Sequence, residues 1–190
     1  MPIEYVELMK EEIQSAASFK SAQAIAITLR DFMNRPEIEE DILRKDICGA
    51  NSTEIENVIL PCTRELGFEA EKTRLFAKYE CRNLRPDYFQ RQVGIRLEVE
   101  RGKTVMNNMD LLDIWKCNIC EQARYLFLII PKARRNRKGG SAKQFHLTQN
   151  RMTSFFRKEN HVNVDAVFLF GYGSEASARG DPGRPVPNRK

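Results

Sequence analysis

The chain has 190 residues, 42% hydrophobic and 30% charged, a globular composition at a size that buries a core without disulfide or metal staples. Its net charge of +5 hides an asymmetry: residues 1–60 hold 6 Lys/Arg against 12 Asp/Glu, and the remaining 130 hold 25 against 14, so an acidic front precedes a basic body suited to a polyanionic partner. No apolar run reaches the ~18 residues of a membrane span. The amino terminus MPIEYVELMKEEI lacks the pattern of a signal peptide, and five scattered cysteines (Cys48, Cys62, Cys81, Cys117, Cys120) read as reduced thiols, so a cytoplasmic protein is expected and the membrane and secreted disulfide-rich classes are excluded.

Three helices are predicted first. Val6, Met9, Ile13 and Ala16–Ala17 recur at helical spacing, as do Ala22, Ile25, Ala26, Leu29 and Phe32–Met33. Pro36 suits the first turn of the third helix, with Gly49 beyond its end. A fourth helix is expected after Ser52–Thr53, running through Ile55, Val58, Ile59 and Leu66 to Gly67, with Pro61 bending it. Residues 69–81 then fit a strand, and Arg85–Phe89 and Gly94–Arg101 fit two more. Asn107 or Asn108 would cap a helix carrying Leu111, Leu112, Trp115 and Ile119, with Trp115 in the core. Tyr125–Pro131 is apolar throughout, as a strand covered on both faces must be. A basic loop, a helix over His146–Lys158 and a buried strand over Ala166–Phe170 follow. The Gly-, Pro-, Ser- and Arg-containing tail over 174–190 is expected to be disordered.

This order predicts an α/β sandwich: a central mixed sheet flanked by helices, with a helical extension over 1–50, a core over 51–173 and the basic tail.

Within IRLEVERGKT, strand alternation sends Ile95, Leu97 and Val99 to one face and Arg96, Glu98 and Glu100 to the other. A hairpin would bring Asp87 beside Glu98. Clustered carboxylates do not all ionise comfortably without a counter-cation, and Mg²⁺, with its oxygen ligands and retained waters, suits them. An ordinary solvated acidic face is the competing reading.

Pro86-Asp87, ten further residues, then Glu98-Val99-Glu100 in a strand, followed by a helix and an apolar strand, resemble the PD-(D/E)XK nuclease superfamily, over roughly residues 52–171. The resemblance implies a restriction-endonuclease-like fold and a Mg²⁺-dependent hydrolysis of phosphodiester bonds in DNA, duplex above all, with no nucleotide cofactor. It implies Asp87 and Glu98 as metal ligands and an acidic residue on the preceding helix, for which Glu56 is the candidate. The family's lysine position is here Glu100, as in a minority of type II restriction endonucleases. Lys103 or Lys116 is the candidate for the missing positive charge. A two-fold homodimer would match cutting of both strands.

The segment Lys132–Lys138 contains five Lys/Arg in seven residues, with Gly139-Gly140 and Lys143 after it. Lys132, Arg134, Arg135, Arg137, Lys138 and Lys143 are therefore the candidate contacts to a phosphate backbone. Cys117 and Cys120 form a CxxC without the second pair a zinc ribbon needs. Three alternatives stay open: a nucleic-acid-binding protein that has lost catalysis, a winged-helix regulator built from the helices and strand pair over residues 21–80, and an interaction protein whose acidic helices and basic face bind other proteins. The acidic front argues against the second, because phosphate would repel it.

Overall fold

A computed structural model of the chain describes residues 2–46, 51–70, 79, 86–101, 104–105, 107–135 and 141–173. Its strands are β1 (Glu4–Met9), β2 (Glu69–Ala70), β3 (Tyr88–Gln90), β4 (Ile95–Val99), β5 (Tyr125–Pro131), β6 (Arg134–Arg135), β7 (Ser141–Ala142) and β8 (Ala166–Tyr172). Its helices are α1 (Ala17–Met33), α2 (Pro36–Lys45), α3 (Thr53–Glu65), α4 (Met109–Ile119) and α5 (Gln144–Thr153), with 3₁₀ turns at Glu11–Ile13 and Ser154–Phe156.

Six strands form one mixed sheet in the order β1-β8-β5-β4-β3-β2, and β6 pairs with β7 as a separate hairpin. The three central strands β4, β5 and β8 are parallel, joined by crossovers through α4 and α5. Antiparallel strands close both sides: β3 and β2 beyond β4, and β1 beyond β8. Parallel strands covered on both faces must be apolar on both, and β5 and β8 are buried at every position.

The two faces carry separate cores. Ile95, Leu97, Phe127, Ile129, Phe168 and Phe170 pack with Phe19, Ala26, Leu29 and Ile59 of α1 and α3. Phe127 lies 5.0 Å from Phe168 and 5.5 Å from Phe170, ring centre to ring centre. On the opposite face Leu126, Leu128, Val167 and Leu169 pack with Ile114 and Cys117 of α4 and Phe145 and Met152 of α5. The result is an α/β sandwich with a helical layer on either side of the sheet.

Several expectations are corrected. Residues 4–9 form an edge strand, not a helix: Glu4 to Met9 pair in register with Gly171 to Ala166. The residues expected as a helical extension thus begin with a strand of the central sheet, and Ile3, Ile13, Phe19 and Leu29 share one core with Leu97 and Phe168. Trp115 is 53% exposed rather than core, because the buried stripe of α4 is Asp110, Asp113, Ile114, Lys116 and Cys117. Helix α5 starts at Gln144 and gives way to a 3₁₀ turn after Thr153. Ser52 makes no side-chain cap to α3. α2 ends at Lys45. The expected strand over 69–81 is seen at Glu69–Ala70; residues 71–78, Glu80 and Cys81, like Gly49 and the tail from 174, lie outside the described residues.

One glycine fixes where β4 begins. Gly94 has φ +79°, and a Cβ there would stand 2.4 Å from the Gln122 carbonyl oxygen. Its own carbonyl accepts from Tyr125 N at 3.1 Å, locking the start of β4 against the start of β5.

Candidate active site

The candidate site gathers at the carboxyl end of β4. Ile95, Leu97 and Val99 face the α1–α3 core as alternation requires. Arg96 and Glu98 point the other way, but not into solvent: α4 covers them, and they are 0% and 3% exposed. The reading as an ordinary solvated acidic face is therefore excluded for Glu98.

Asp87, just before β3, joins this strand in two ways. Its Oδ2 accepts a hydrogen bond from Val99 N at 2.9 Å, and its own backbone N–H reaches Glu98 Oε2 at 3.4 Å. The expected neighbourhood of Asp87 and Glu98 is present. Burial pushes the Asp87 carboxyl above the usual carboxylate range, against the Val99 hydrogen bond and the positive charges of Lys116 and Arg96.

Lys116 projects from α4 into the same place. Its Nζ lies 3.6 Å from Glu98 Oε1 and 2.9 Å from Asp113 Oδ1, and its side chain is only 8% exposed. Arg96 Nε donates to Glu98 Oε1 at 2.6 Å, and Nη2 of the same guanidinium pairs with that oxygen and stands 3.7 Å from Asp113 Oδ1. Two cations and two carboxylates thus form a buried, charge-balanced quartet. Such a group is tolerated inside a protein only when its members are paired. The Cys117 thiol, which shares a hydrogen bond with Arg96, is pushed up to about 12 by burial, so it stays protonated.

Around the quartet lies a rim of acids. Glu100, half-buried past the end of β4, is pushed up to about 8 by burial and then by Asp113 and Asp87. Burial also raises Glu56 on α3, with Asp87 adding to the effect and Ser52 opposing it. Asp110, at the first turn of α4, is raised by burial while Arg151 Nε, 3.4 Å from its Oδ2, pulls it down. Glu56 and Glu100 both feel the charge of Asp87. Lys103 lies outside the described residues.

Mg²⁺ takes hard oxygen ligands, is held by one or two carboxylates and keeps several waters. Asp87 and Glu98 supply that donor type from adjacent positions. Among the described residues no three His, Cys, Asp or Glu side chains come together as a metal-holding group. An ion held by Asp87 and Glu98 would complete its coordination with water.

The basic segment divides. Lys132 is corrected: it is 4% exposed, and its Nζ donates to the Pro2 carbonyl, so it ties the chain's start to the end of β5 instead of facing a ligand. Arg134 and Arg135 form β6, paired with Ser141 and Ala142. Arg137 and Lys138 lie outside the described residues. Lys143 is exposed. The hairpin follows the carboxyl end of β5, whose Ile129 lies opposite Val99, so it rises from the same end of the sheet as Glu98. Open α/β sheets bind ligands at that end.

The spacing argument missed Asp113 and the role of Arg96. The signal was there: Asp110, Asp113 and Cys117 recur at helical spacing on the face of α4 turned to the sheet, and an acid on that face implies a buried cation opposite. Comparison with known proteins finds no matching family model, no matching curated protein and no matching solved structure.

Proposed function

We propose that this chain is a Mg²⁺-dependent DNA endonuclease of the restriction type, with a PD-(D/E)XK-like site in which Lys116 replaces the lysine missing at position 100. The observation that carries the reading is the meeting of Asp87, Glu98 and Lys116 at one strand end: one carboxylate from the residue before β3, one from β4, and one ammonium from the facing helix.

Asp87 and Glu98 would hold the ion, which when bound supplies positive charge to a phosphodiester oxygen and lowers the pKa of water. Lys116 stabilises negative charge growing on the phosphate from a partly dehydrated position, where a charge acts more strongly than in water. Glu100, whose raised carboxyl a bound cation would draw toward its ionised form, would take the proton of the attacking water. The exposed Lys143 and the β6–β7 hairpin meet the DNA backbone, and the net charge of +11 beyond residue 60 draws the polyanion in. A two-fold dimer would present two such sites to the two strands.

Incubating supercoiled plasmid with the protein, in Mg²⁺ or in EDTA, tests this reading. Cleavage in Mg²⁺ alone, lost in Glu98→Ala, supports it. A gel shift without cleavage sinks it in favour of a second reading, a nucleic-acid-binding protein that no longer hydrolyses. One observation favours that rival: both Glu98 oxygens already have partners, Arg96 and Lys116 at Oε1 and the Asp87 N–H at Oε2.

A further inference from the structure

Arg96 and Asp113 belong to no part of the proposed chemistry, yet Arg96 holds Glu98 and Asp113 stands beside Arg96. The guanidinium is fully buried and grips Oε1 of Glu98 through both Nε and Nη2. Charge-assisted contacts of this kind are the strong class of hydrogen bond. A divalent cation approaching Oε1 of Glu98 meets an oxygen already claimed by a positive charge that α4 keeps from leaving to solvent, while Oε2 accepts from the Asp87 N–H.

The same guanidinium has somewhere to go. Nη2 stands 3.7 Å from Asp113 Oδ1, and Asp113 Oδ2 is fully buried with no hydrogen-bond partner. An unsatisfied buried carboxylate oxygen is costly, and a donor swinging onto it recovers that cost. Lys116 already occupies Oδ1 at 2.9 Å and so holds Asp113 in place for the exchange.

We propose that Arg96 is an internal competitor for the divalent cation, its guanidinium paired with Glu98 when the ion is absent and transferred to Asp113 when the ion binds. The inference rests on the reading of Asp87 and Glu98 as the ion's ligands. No covalent bond changes; one ion pair is exchanged for another inside a neutral quartet. The affinity of the site for Mg²⁺ is then set by how strongly Arg96 holds Glu98 and by whether Asp113 can receive it. A protein whose competent state is only partly populated shows an affinity reduced by that fraction.

The test is Mg²⁺ binding by titration calorimetry on the full chain, without DNA, so that the readout is independent of cleavage. Arg96→Met removes the competitor and should bind Mg²⁺ about tenfold more tightly than the wild type, the order expected when one charge-assisted bond no longer has to break. Arg96→Lys keeps the charge without the two-pronged grip and should also bind more tightly, by less. Asp113→Asn removes the charged acceptor and should bind about tenfold more weakly. Circular dichroism at matched temperature identifies the folded variants, and Arg96→Lys carries the test if Arg96→Met does not fold. Binding lost in Asp87→Asn but unchanged or weakened in both Arg96 variants overturns the competitor and leaves the metal reading standing. Absence of binding in the wild type and in every Arg96 variant overturns both.

Discussion

Lys116 Nζ stands 3.6 Å from Glu98 Oε1, although one residue lies on α4 and the other on β4. The contact places a positive charge beside a carboxylate of the central sheet. It exists because α4 turns its polar stripe, not its most apolar one, toward the sheet. Asp113 fixes the ammonium, and Arg96, 3.7 Å from the same carboxylate oxygen, is the second cation facing Asp113 and Glu98.

That arrangement makes a stability prediction. Lys116→Met leaves Asp113 and Glu98 sharing Arg96 alone in a largely buried site. Breaking a buried ion pair by removing one partner costs about 3 kcal/mol or more. The double variant Lys116→Met/Asp113→Leu removes both charges and should recover most of the loss. Urea unfolding of the two variants measures this. Equal destabilisation of single and double variants would show that Lys116 and Asp113 are not energetically coupled.

Glu100 makes stability depend on pH. Its carboxyl, pushed up to about 8 in the folded chain, holds a proton that the unfolded chain has released from the ordinary glutamate range upward. Between these values the folded state binds more protons. This group's contribution to stability therefore falls as pH rises, and levels off above about 8. Glu100→Gln should flatten that part of the profile and be the more stable protein at pH 8. Thermal melts of both proteins between pH 5 and 9, in buffers without divalent ions, test this. Parallel profiles for the two proteins would contradict the assignment.

The layout of the sheet's centre was legible in the sequence. Tyr125–Pro131 and Ala166–Phe170 are apolar at successive positions, and only a strand covered on both faces has a use for that pattern. β1 was not legible: Val6, Met9 and Ile13 repeat at helical spacing, while the residues that make 4–9 a strand are those of β8, more than 150 positions away. Trp115 was misplaced for a related reason. Apolar weight alone selects Leu112, Trp115 and Ile119 as the inward stripe of α4, but Arg96 and Glu98 on the sheet require Asp113 and Lys116 there. The pairing of Asp87 with Glu98 was readable from strand alternation and a hairpin. Glu98's burial was not, because it depends on a helix that arrives later in the chain.

The basic segment should separate into two kinds of lysine. Lys143→Ala should weaken DNA binding and lower the slope of log affinity against log salt by about 1, as for one phosphate contact. Lys132→Met should leave that slope unchanged and lower the melting temperature instead, since its Nζ bonds the Pro2 carbonyl in a buried position. Fluorescence anisotropy across a salt series distinguishes them. A reduced slope in Lys132→Met would refute its structural role.

At Gly94 the backbone tolerates no side chain. Gly94→Ala places a methyl group 2.4 Å from the Gln122 carbonyl oxygen at a φ of +79°. The start of β4 must shift away from β5, at a cost of about 2 kcal/mol or more. Chemical denaturation should show this loss. A variant as stable as the wild type would mean that β4 reaches Arg96 and Glu98 without this turn.

The most direct test of the proposed activity is cleavage of supercoiled plasmid by the wild type, Glu98→Ala and Lys116→Ala, each in Mg²⁺ and in EDTA. The site described here predicts linear or nicked product from the wild type in Mg²⁺ alone, none from Glu98→Ala, and a rate at least a hundredfold lower from folded Lys116→Ala, roughly the loss that follows removal of one transition-state charge partner. Cleavage that persists in Glu98→Ala, or a wild type that shifts DNA in EDTA and never cuts it, would contradict it.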